Sequence, residues 1–246
     1  TLLIRAKLPT GHVIGVVPRE QVISRMAQFP STQAAELSQM VELYARAQLP
    51  YAREQLVVDW YVATQQEGSS TVAIVACQRE IIEEMLTVLR EAKLRPLFVT
   101  VSSWGVLGWS QEVRDSALPG KGKPGAPQRV EEPSLVINVD ETRTDLILIA
   151  NGRMLLTRSI DHGATQWGQE ELVPELLALE VDRSVAAIRQ ELPGTELRSV
   201  VCSGCGALAT WQAALSTRLG RPVTVLEGVT PWRKYQSSIK ALGSPV

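Results

Sequence analysis

The stretch Val200–Ala209, V-V-C-S-G-C-G-A-L-A, follows a strand-like run, precedes a helix-like run, and decides which fold the sequence can have. It contains a C-x-x-C at Cys202 and Cys205 and an overlapping G-x-G-x-x-A that begins at Gly204. Three interpretations are open: a thiol redox pair, a dinucleotide-binding turn, or the strand–loop–helix corner of another α/β fold.

The redox interpretation requires a stabilised thiolate. A cysteine between a strand and a helix N-terminus is well placed for this, because the amides at the helix end favour negative charge. However, Ser203 and Gly204 separate the two cysteines, no aromatic residue precedes Cys202, and no proline stands out as a candidate to face the pair. Cysteine also serves as a small apolar residue at the end of a buried strand, and we favour that role here.

The local sequence fits the dinucleotide interpretation, because Glu227 follows the glycine motif by about twenty residues at the end of the next strand. A dinucleotide-binding half needs further strand–helix units after that acidic residue, and the segment after Glu227 is too short for them. We therefore favour the third interpretation, in which the glycines let the backbone turn tightly at the end of a sheet strand.

Composition excludes several classes of function. The formal net charge is −1 and the pI is about 6.2, so the chain has no basic field for nucleic acid. No apolar run reaches the length of a membrane span, so we expect no direct span. Three cysteines, an odd number, indicate a reducing compartment. No metal site is predicted, because His12 and His162 have no ligand spacing around them and supply no fourth ligand to the cysteine pair.

Strands and helices alternate in the first half, which is typical of a mainly parallel sheet. The helix after Phe29 is expected to begin at Pro30–Thr32, with Ser31 or Thr32 as its N-cap, and to end at Pro50. The predicted strands are His12–Val17 (buried), Val22–Phe29, Leu56–Ala63, Thr71–Cys77 and Pro96–Val101, and the other predicted helices are Arg79–Ala92 and Ser102–Val113.

The second half predicts three strands, a long helical region, and two further strands separated by a helix. Asn151-Gly152 is a strong hairpin signal, because both central residues of a type I′ turn need positive φ. The helical region, Thr165 to about Gln190, is interrupted by Pro174. The predicted strands are Leu135–Val139, Thr144–Ala150, Met154–Ile160, Arg198–Cys202 and Val223–Leu226, and the last helix is Leu208–Leu219. This β-β-β-α-β-α-β order is expected of the ribonuclease-H-like halves of actin-type ATPases.

Four segments resemble one family. L-V-I-N-V-D-E-T-R-T-D-L-I-L-I-A-N-G-R-M-L-L-T-R-S-I-D-H-G-A, Leu135–Ala164, is similar to the second phosphate segment of the actin-like proteins. Val200–Leu226 is similar to their adenosine segment, S-G-G-G-A followed by a helix and G-x-P-V. Pro30–Trp60 and Val75–Pro96 resemble the extra subdomain, and the strand and helix after it, of the type IV pilus assembly protein PilM family, which is related to the cell-division protein FtsA.

The resemblance implies an α/β, actin-like (ribonuclease-H-like) two-lobed fold with a small inserted α+β subdomain. We expect a partial first lobe over residues 1–116, with the subdomain at about 21–66, and a second lobe over residues 134–246. Residues 117–133, rich in proline and glycine, form the predicted linker or loop between them. The first lobe is expected to be incomplete at its N-terminus, because the D-I-G-x-x-x-x-K phosphate hairpin of the family would lie upstream of Thr1.

The sequence departs from the family where phosphate would bind. Asn138-Val139-Asp140 stands where D-I-G is expected, and Cys205 replaces the middle glycine of S-G-G-G. Asn138 is a weaker magnesium ligand than a carboxylate, and Asp140 would repel a polyphosphate. We therefore expect a degenerate site without catalytic residues or cofactor, although ATP and Mg²⁺ remain possible if the upstream hairpin exists. The nucleotide-binding candidates are Asn138, Asp140, Thr142, Ser203, Gly204 and Gly206.

The function that the resemblance implies is a non-catalytic scaffold of a type IV pilus or type II secretion-like inner-membrane platform. Such a protein is cytoplasmic, peripheral to the inner membrane, and binds the cytoplasmic tail of a membrane partner; an assembly ATPase is a further possible partner. The alternatives are an active actin-like ATPase and a thiol–disulfide oxidoreductase that uses Cys202 and Cys205. The candidate residues for the partner groove are Met26, Phe29, Met40, Tyr44, Trp60 and Tyr61.

Overall fold

The structure, a computed structural model, describes residues 11–108, 133–167, 173–191, 196–205 and 208–226. The chain divides into two compact units. The first unit is Thr10–Ser102, and the second comprises the described residues from Ser103 onward.

The first unit contains a three-stranded antiparallel sheet of order β2-β4-β3 with a helix packed on one face. On that face, Phe29, Val72 and Ile74 form one core cluster with Leu37 and Val41 of the helix. The elements of this unit are β1 (His12–Val17), β2 (Val22–Phe29), α1 (Ala34–Gln48), β3 (Leu56–Gln66), β4 (Ser69–Gln78), α2 (Arg79–Glu91) and β5 (Arg95–Val101).

Helix α1 begins later than the sequence predicts. Its N-cap is Gln33, so the prediction of Ser31 or Thr32 as the cap is wrong. The Ser31 hydroxyl instead accepts a hydrogen bond from the Gln33 N–H and donates one to the Glu36 carboxylate. Ser31 therefore holds the turn that precedes the helix, and the chain stays extended through Gln33. The end of the helix at Gln48, just before Pro50, confirms the predicted stop.

β1 and β5 pair in parallel, and α2 covers one face of this pair. On that face Gly15 allows a close approach, because a methyl group built on it would lie 3.0 Å from Cε of Met85. The opposite face shows Ile14 and Val16, both about half exposed. The prediction of a fully buried β1 is therefore wrong, because only alternate residues of the strand face the helix.

The second unit contains a five-stranded sheet of order β10-β9-β6-β7-β8 within the described residues. β6, β7 and β8 are antiparallel neighbours, and β9 and β10 add in parallel through helical crossovers. Asn151 and Gly152 have φ values of 52° and 69°, which confirms the predicted hairpin turn. The elements are α3 (residues 102–108), β6 (Ser134–Val139), β7 (Thr144–Ala150), β8 (Arg153–Ile160), α4 (Ala164–Trp167), α5 (Val173–Glu191), β9 (Ser199–Gly204), α6 (Leu208–Leu219) and β10 (Val223–Val225).

Helices cover both faces of this sheet. On the crossover side, Arg158 of β8 donates hydrogen bonds to Ser184 and Glu180 of α5. On the other side, Leu107 of α3 is part of the sheet's core cluster, and the Ser103 and Thr157 hydroxyls are 3.0 Å apart. The cluster on this second face consists of Leu107, Val136, Ile147, Ile149, Met154 and Val201.

Proline positions explain the helical region between β8 and β9. Pro174 is the second residue of α5, where a missing backbone N–H costs nothing. Within the described residues, Pro174 therefore lies in the first turn of α5. Residues 168–172, the end of the predicted helix Ser102–Val113, and residues 117–132 of the predicted linker lie outside the described residues.

Candidate functional sites

The ends of β6 and β9 bring two predicted nucleotide residues together. Asn138 and Ser203 are partners across the parallel strands, and the Ser203 hydroxyl donates a 2.9 Å hydrogen bond to Oδ1 of Asn138. Ser203 is buried. This contact gives both side chains a partner within the protein, so each has a structural role in addition to any ligand it could meet.

Gly204 allows the chain to pass very close to β6. Its φ is +103°, and a methyl group built on it would overlap the carbonyl oxygen of Val139 and lie 2.8 Å from the carbonyl carbon. The same oxygen accepts a 2.7 Å hydrogen bond from the N–H of Cys205. Backbone packing alone therefore requires glycine here. Gly206, the other glycine candidate, lies outside the described residues.

The loop after β6 is closed by hydrogen bonds within the protein. The N–H of Asp140 donates to the carbonyl of Arg143, and Oδ1 of Asp140 accepts from the N–H of Glu141, both at 2.8 Å. The start of α4 closes the loop from the other side, because Ala164 N–H donates to the Asp140 carbonyl and Thr165 N–H to that of Glu141. In the stretch that resembles a phosphate loop, the backbone N–H groups of Asp140 and Glu141 thus already donate hydrogen bonds within the protein.

The charge near this corner is negative. Cys205 is exposed, and partial desolvation together with the carboxylates of Asp140 and Glu141 raises the pKa of its thiol. The carboxylates of Asp140 and Glu141 therefore contribute a negative electrostatic potential beside the end of β9. Arg143, a nearby cation, forms a 2.8 Å ion pair with Asp161. Thr142, the remaining candidate, is exposed in the same loop.

The two cysteines of the C-x-x-C have unlike environments, and neither favours a thiolate. Cys202 is buried in β9, and burial raises the pKa of its thiol to about 12. A thiol redox pair needs a lowered pKa in its attacking cysteine, which is the opposite direction. Across the described part of the chain, no group of three or more His, Cys, Asp or Glu side chains is placed to hold a metal ion.

A second candidate site is an open groove beside α1 in the first unit. Its volume is about 390 Å³. The Phe29 and Tyr44 rings meet edge to face, with centroids 6.1 Å apart. Leu43 is 67% exposed, which is unusual for a leucine on a packed helix. The groove is lined by Phe29, Pro30, Met40, Leu43, Tyr44, Ala47 and Gln48.

The six predicted groove residues divide between the two faces of the three-stranded sheet. Phe29, Met40 and Tyr44 line the groove, and Trp60 packs on the same sheet face, against the core cluster, without lining it. Met26 and Tyr61 are placed elsewhere: both pair with Ala73 of β4, on the face opposite α1. The prediction of one shared groove is therefore wrong for these two, because neighbouring residues of a strand face opposite ways.

Among the groove residues that the sequence reasoning missed, Leu43 is a large and exposed apolar one. It lies outside the apolar stripe of α1, whose buried members are Leu37, Val41 and Ala45. A large apolar residue on the polar side of an amphipathic helix was the available signal.

No helix in the described ranges is long and apolar enough to cross a membrane. The sheet order, with its glycine corner, belongs to the actin-like fold, a mixed α/β class. The sequence profile of the family "Type IV pilus assembly protein PilM" matches residues 4–201, so the chain belongs to that family. No curated protein matches the sequence significantly.

Three solved structures are similar to this chain. A PilM–PilN type IV pilus biogenesis complex matches with a TM-score of 0.72 and 20% identity, over 98% of this chain and 78% of that one. The cytoplasmic domain of EpsL, an inner-membrane component of the type II secretion system of Vibrio cholerae, matches with a TM-score of 0.49 and 12% identity, over 96% and 76%. A Bacteroides thetaiotaomicron protein with an actin-like ATPase fold matches with a TM-score of 0.46 and 12% identity, over 94% and 72%.

Proposed function

We propose that this chain is a non-catalytic adaptor of a type IV pilus or type II secretion-like platform at the inner membrane, and that the groove beside α1 binds the cytoplasmic tail of a membrane partner. The observation that carries the proposal is the open apolar groove beside an edge strand. Membership of the PilM family supports it, and the similar structure is a complex of PilM with PilN.

The sheet edge suggests how a tail binds. β2 is the outer strand of the order β2-β4-β3, and Phe29 at its end lines the groove. An extended segment added to that edge would form main-chain hydrogen bonds and direct alternate side chains toward α1. There Leu43 and Met40 offer apolar contact. We therefore expect a short segment with apolar residues at alternate positions.

The absence of catalysis is proposed from the corner at β6 and β9. Hydrolysis needs positive charge on the transferred phosphoryl group and a positioned water. Instead, the Asp140 carboxylate is bonded to the next N–H, and Asp140 and Glu141 make the corner negative. We propose that no cofactor is needed, with the protein cytoplasmic and peripheral to the inner membrane. An assembly ATPase is a further proposed partner.

Leu43→Glu tests the groove. The substituted residue is exposed, so the fold should be retained, while a carboxylate is placed on the apolar contact surface. Loss of one leucine contact of about 1.5–3 kcal/mol predicts roughly 10- to 100-fold weaker binding. The probe is a fluorescent peptide with the cytoplasmic tail of the PilN-like protein of the same organism, titrated by anisotropy against the full chain.

Gln39→Glu is the matched control, because it adds the same charge at an exposed position of α1 that does not line the groove. Equal affinities of the two variants for the peptide would refute the groove as the binding site.

Calorimetry with ATP and Mg²⁺ on the unmodified chain tests the other half of the proposal, the absence of catalysis. Micromolar, magnesium-dependent binding of ATP with turnover would contradict the degenerate site and show an active actin-like ATPase instead.

A further inference from the structure

The outer strands of the three-stranded sheet, β2 and β3, present their main chains differently. In an antiparallel strand the N–H and C=O of one residue point to the same side, and successive residues alternate sides. Val22 of β2 points away from β4, because its N–H donates to the Arg19 carbonyl and its C=O accepts a 2.6 Å hydrogen bond from the Arg19 guanidinium. The pairing of β2 with β4 has no register shift, so Ser24, Met26 and Gln28 also point outward.

The outward groups of β2 are capped in its first half and open in its second half. The carbonyl of Ser24 accepts a 3.1 Å hydrogen bond from the guanidinium of Arg25. Within the described residues, no hydrogen bond reaches the outward N–H or C=O of Met26 or Gln28. These groups lie next to Phe29, which lines the groove beside α1. The open half of the β2 edge therefore ends at the groove.

The outer edge of β3 is closed by side chains. The carbonyl of Leu56 accepts hydrogen bonds from the guanidinium groups of Arg53 and Arg79, at 3.0 and 3.2 Å. Further along the same edge, the N–H of Trp60 donates a 2.8 Å hydrogen bond to Oδ1 of Asp59. A strand added here would have to bring a carbonyl oxygen to that N–H, where the carboxylate repels it. Charged side chains used in this way prevent strand addition at a sheet edge.

Strand addition to the open half of β2 also determines which side chains reach the groove. Ala27 and Phe29 face α1, whereas the side chains of Met26 and Gln28 point to the other face of the sheet. Residues of an added strand that pair with Ala27 and Phe29 share their face, so they point toward α1 as well. Because Ala27 is small, a large apolar side chain of the added strand can pack over it.

The size of the open edge favours a short segment over a second copy of the chain. Four residues of a strand, 26–29, span about 13 Å. The groove is lined by seven residues, whereas a stable interface between folded proteins uses about 20–30 residues on each side. The occupant that fits is therefore an extended peptide segment of a few residues.

We infer that the partner tail adds to β2 as a short strand that is paired through the main chains of Met26 and Gln28. Arg25 limits this pairing to the second half of β2, and Asp59 excludes the tail from the edge of β3. The inference rests on the proposed function of the groove. It requires two N–H groups of the tail, two residues apart, that donate to the carbonyls of Met26 and Gln28.

N-methylation of single amides in the tail peptide tests this pairing on the unmodified chain. The probe is the fluorescent peptide with the cytoplasmic tail of the PilN-like protein, titrated by anisotropy. N-methylation at two positions, two residues apart, should weaken binding about 3- to 10-fold each, because each removes one hydrogen bond to β2. N-methylation at the position between them should leave the affinity unchanged.

Gln28→Pro tests the same edge from the side of the protein. Proline lacks the N–H, and an edge strand tolerates it where that N–H points away from the neighbouring strand. Gln28→Pro should therefore weaken binding of the unmethylated peptide about 3- to 10-fold. Ser24→Pro is the matched control, because it removes an outward N–H from the capped half of β2 and should leave the affinity unaltered. Urea unfolding of both variants shows whether each one folds.

Equal affinities for all the methylated peptides, with binding still weakened by Leu43→Glu, would overturn the strand pairing and leave the groove as the binding site. Two sensitive peptide positions combined with unaltered binding to a folded Gln28→Pro variant would place the tail on another edge and also overturn the inference. A dimer in sedimentation that Gln28→Pro dissociates would identify a second copy of the chain as the occupant. Unaltered binding in Leu43→Glu would instead refute the proposed function itself.

Discussion

Gly204→Ala is expected to destabilise the protein because of chain packing, whether or not nucleotide binds. Gly204 has φ of +103°, a conformation that costs an alanine about 1–3 kcal/mol. Its methyl group would also overlap the Val139 carbonyl oxygen, which now accepts the N–H of Cys205. Moving that carbonyl away removes a hydrogen bond of about 0.5–1.5 kcal/mol. The expected loss in the free energy of unfolding is therefore about 3 kcal/mol.

The assay is urea unfolding of the nucleotide-free chain, followed by tryptophan fluorescence. With a slope of about 1–3 kcal/mol per molar urea, the midpoint should fall by roughly 1–3 M. Gly220→Ala is the matched control: its φ is +60°, but no atom lies within 4 Å of the added methyl group. We expect it to cost only about 1–2 kcal/mol. If the two variants lost equal stability, the close approach to Val139 would not be the reason for glycine at this corner.

Two further predictions concern titrating groups. At pH 8, iodoacetamide should modify Cys205 first and leave Cys202 unlabelled until urea is added, because burial raises the pKa of the Cys202 thiol to about 12. Intact-mass spectrometry measures the number of labelled cysteines. A rapidly formed disulfide between the two cysteines would instead support a redox role. Hydrogen bonds from Arg53 and then Arg46 lower the pKa of Glu42 below its ordinary 4.5. The stability that these hydrogen bonds contribute is present above pH 4.5 and is lost as the pH falls through the lowered pKa of Glu42. The urea midpoints of the unmodified chain and of Glu42→Gln should therefore converge in acid. A difference between the two midpoints that does not change with pH would contradict this assignment.

The second sheet was predictable because its signals are local. Apolar strands and the Asn151-Gly152 turn define the antiparallel hairpins, and the carboxyl ends of parallel strands meet at one edge, which places Asn138 beside Ser203. The bonding of the loop at Asp140 was not predictable, because a side chain that accepts its neighbour's N–H leaves no periodic trace in the sequence.

The first unit was less predictable because its faces depend on register. Alternation shows that Trp60 and Tyr61 face opposite ways, but only the pairing with β4 shows that Met26 lies on the side of Tyr61. The prediction that β1 is fully buried was wrong for a related reason. A continuous apolar run such as His12–Val17 predicts burial on both faces, although within the described residues only one face is covered.

Glycines that carry the resemblance to nucleotide-binding proteins are explained here by contacts between chain segments. Gly163, the last residue of the family's second phosphate pattern, admits no methyl group because the backbone of Thr142 and Arg143 is too close. Gly204 is constrained in the same way by Val139. Both would be required in this fold if no nucleotide ever bound, so they are evidence for the fold and are silent on ATP. The proposal of a degenerate site rests instead on Asp140, whose carboxylate and N–H are both bonded within the loop.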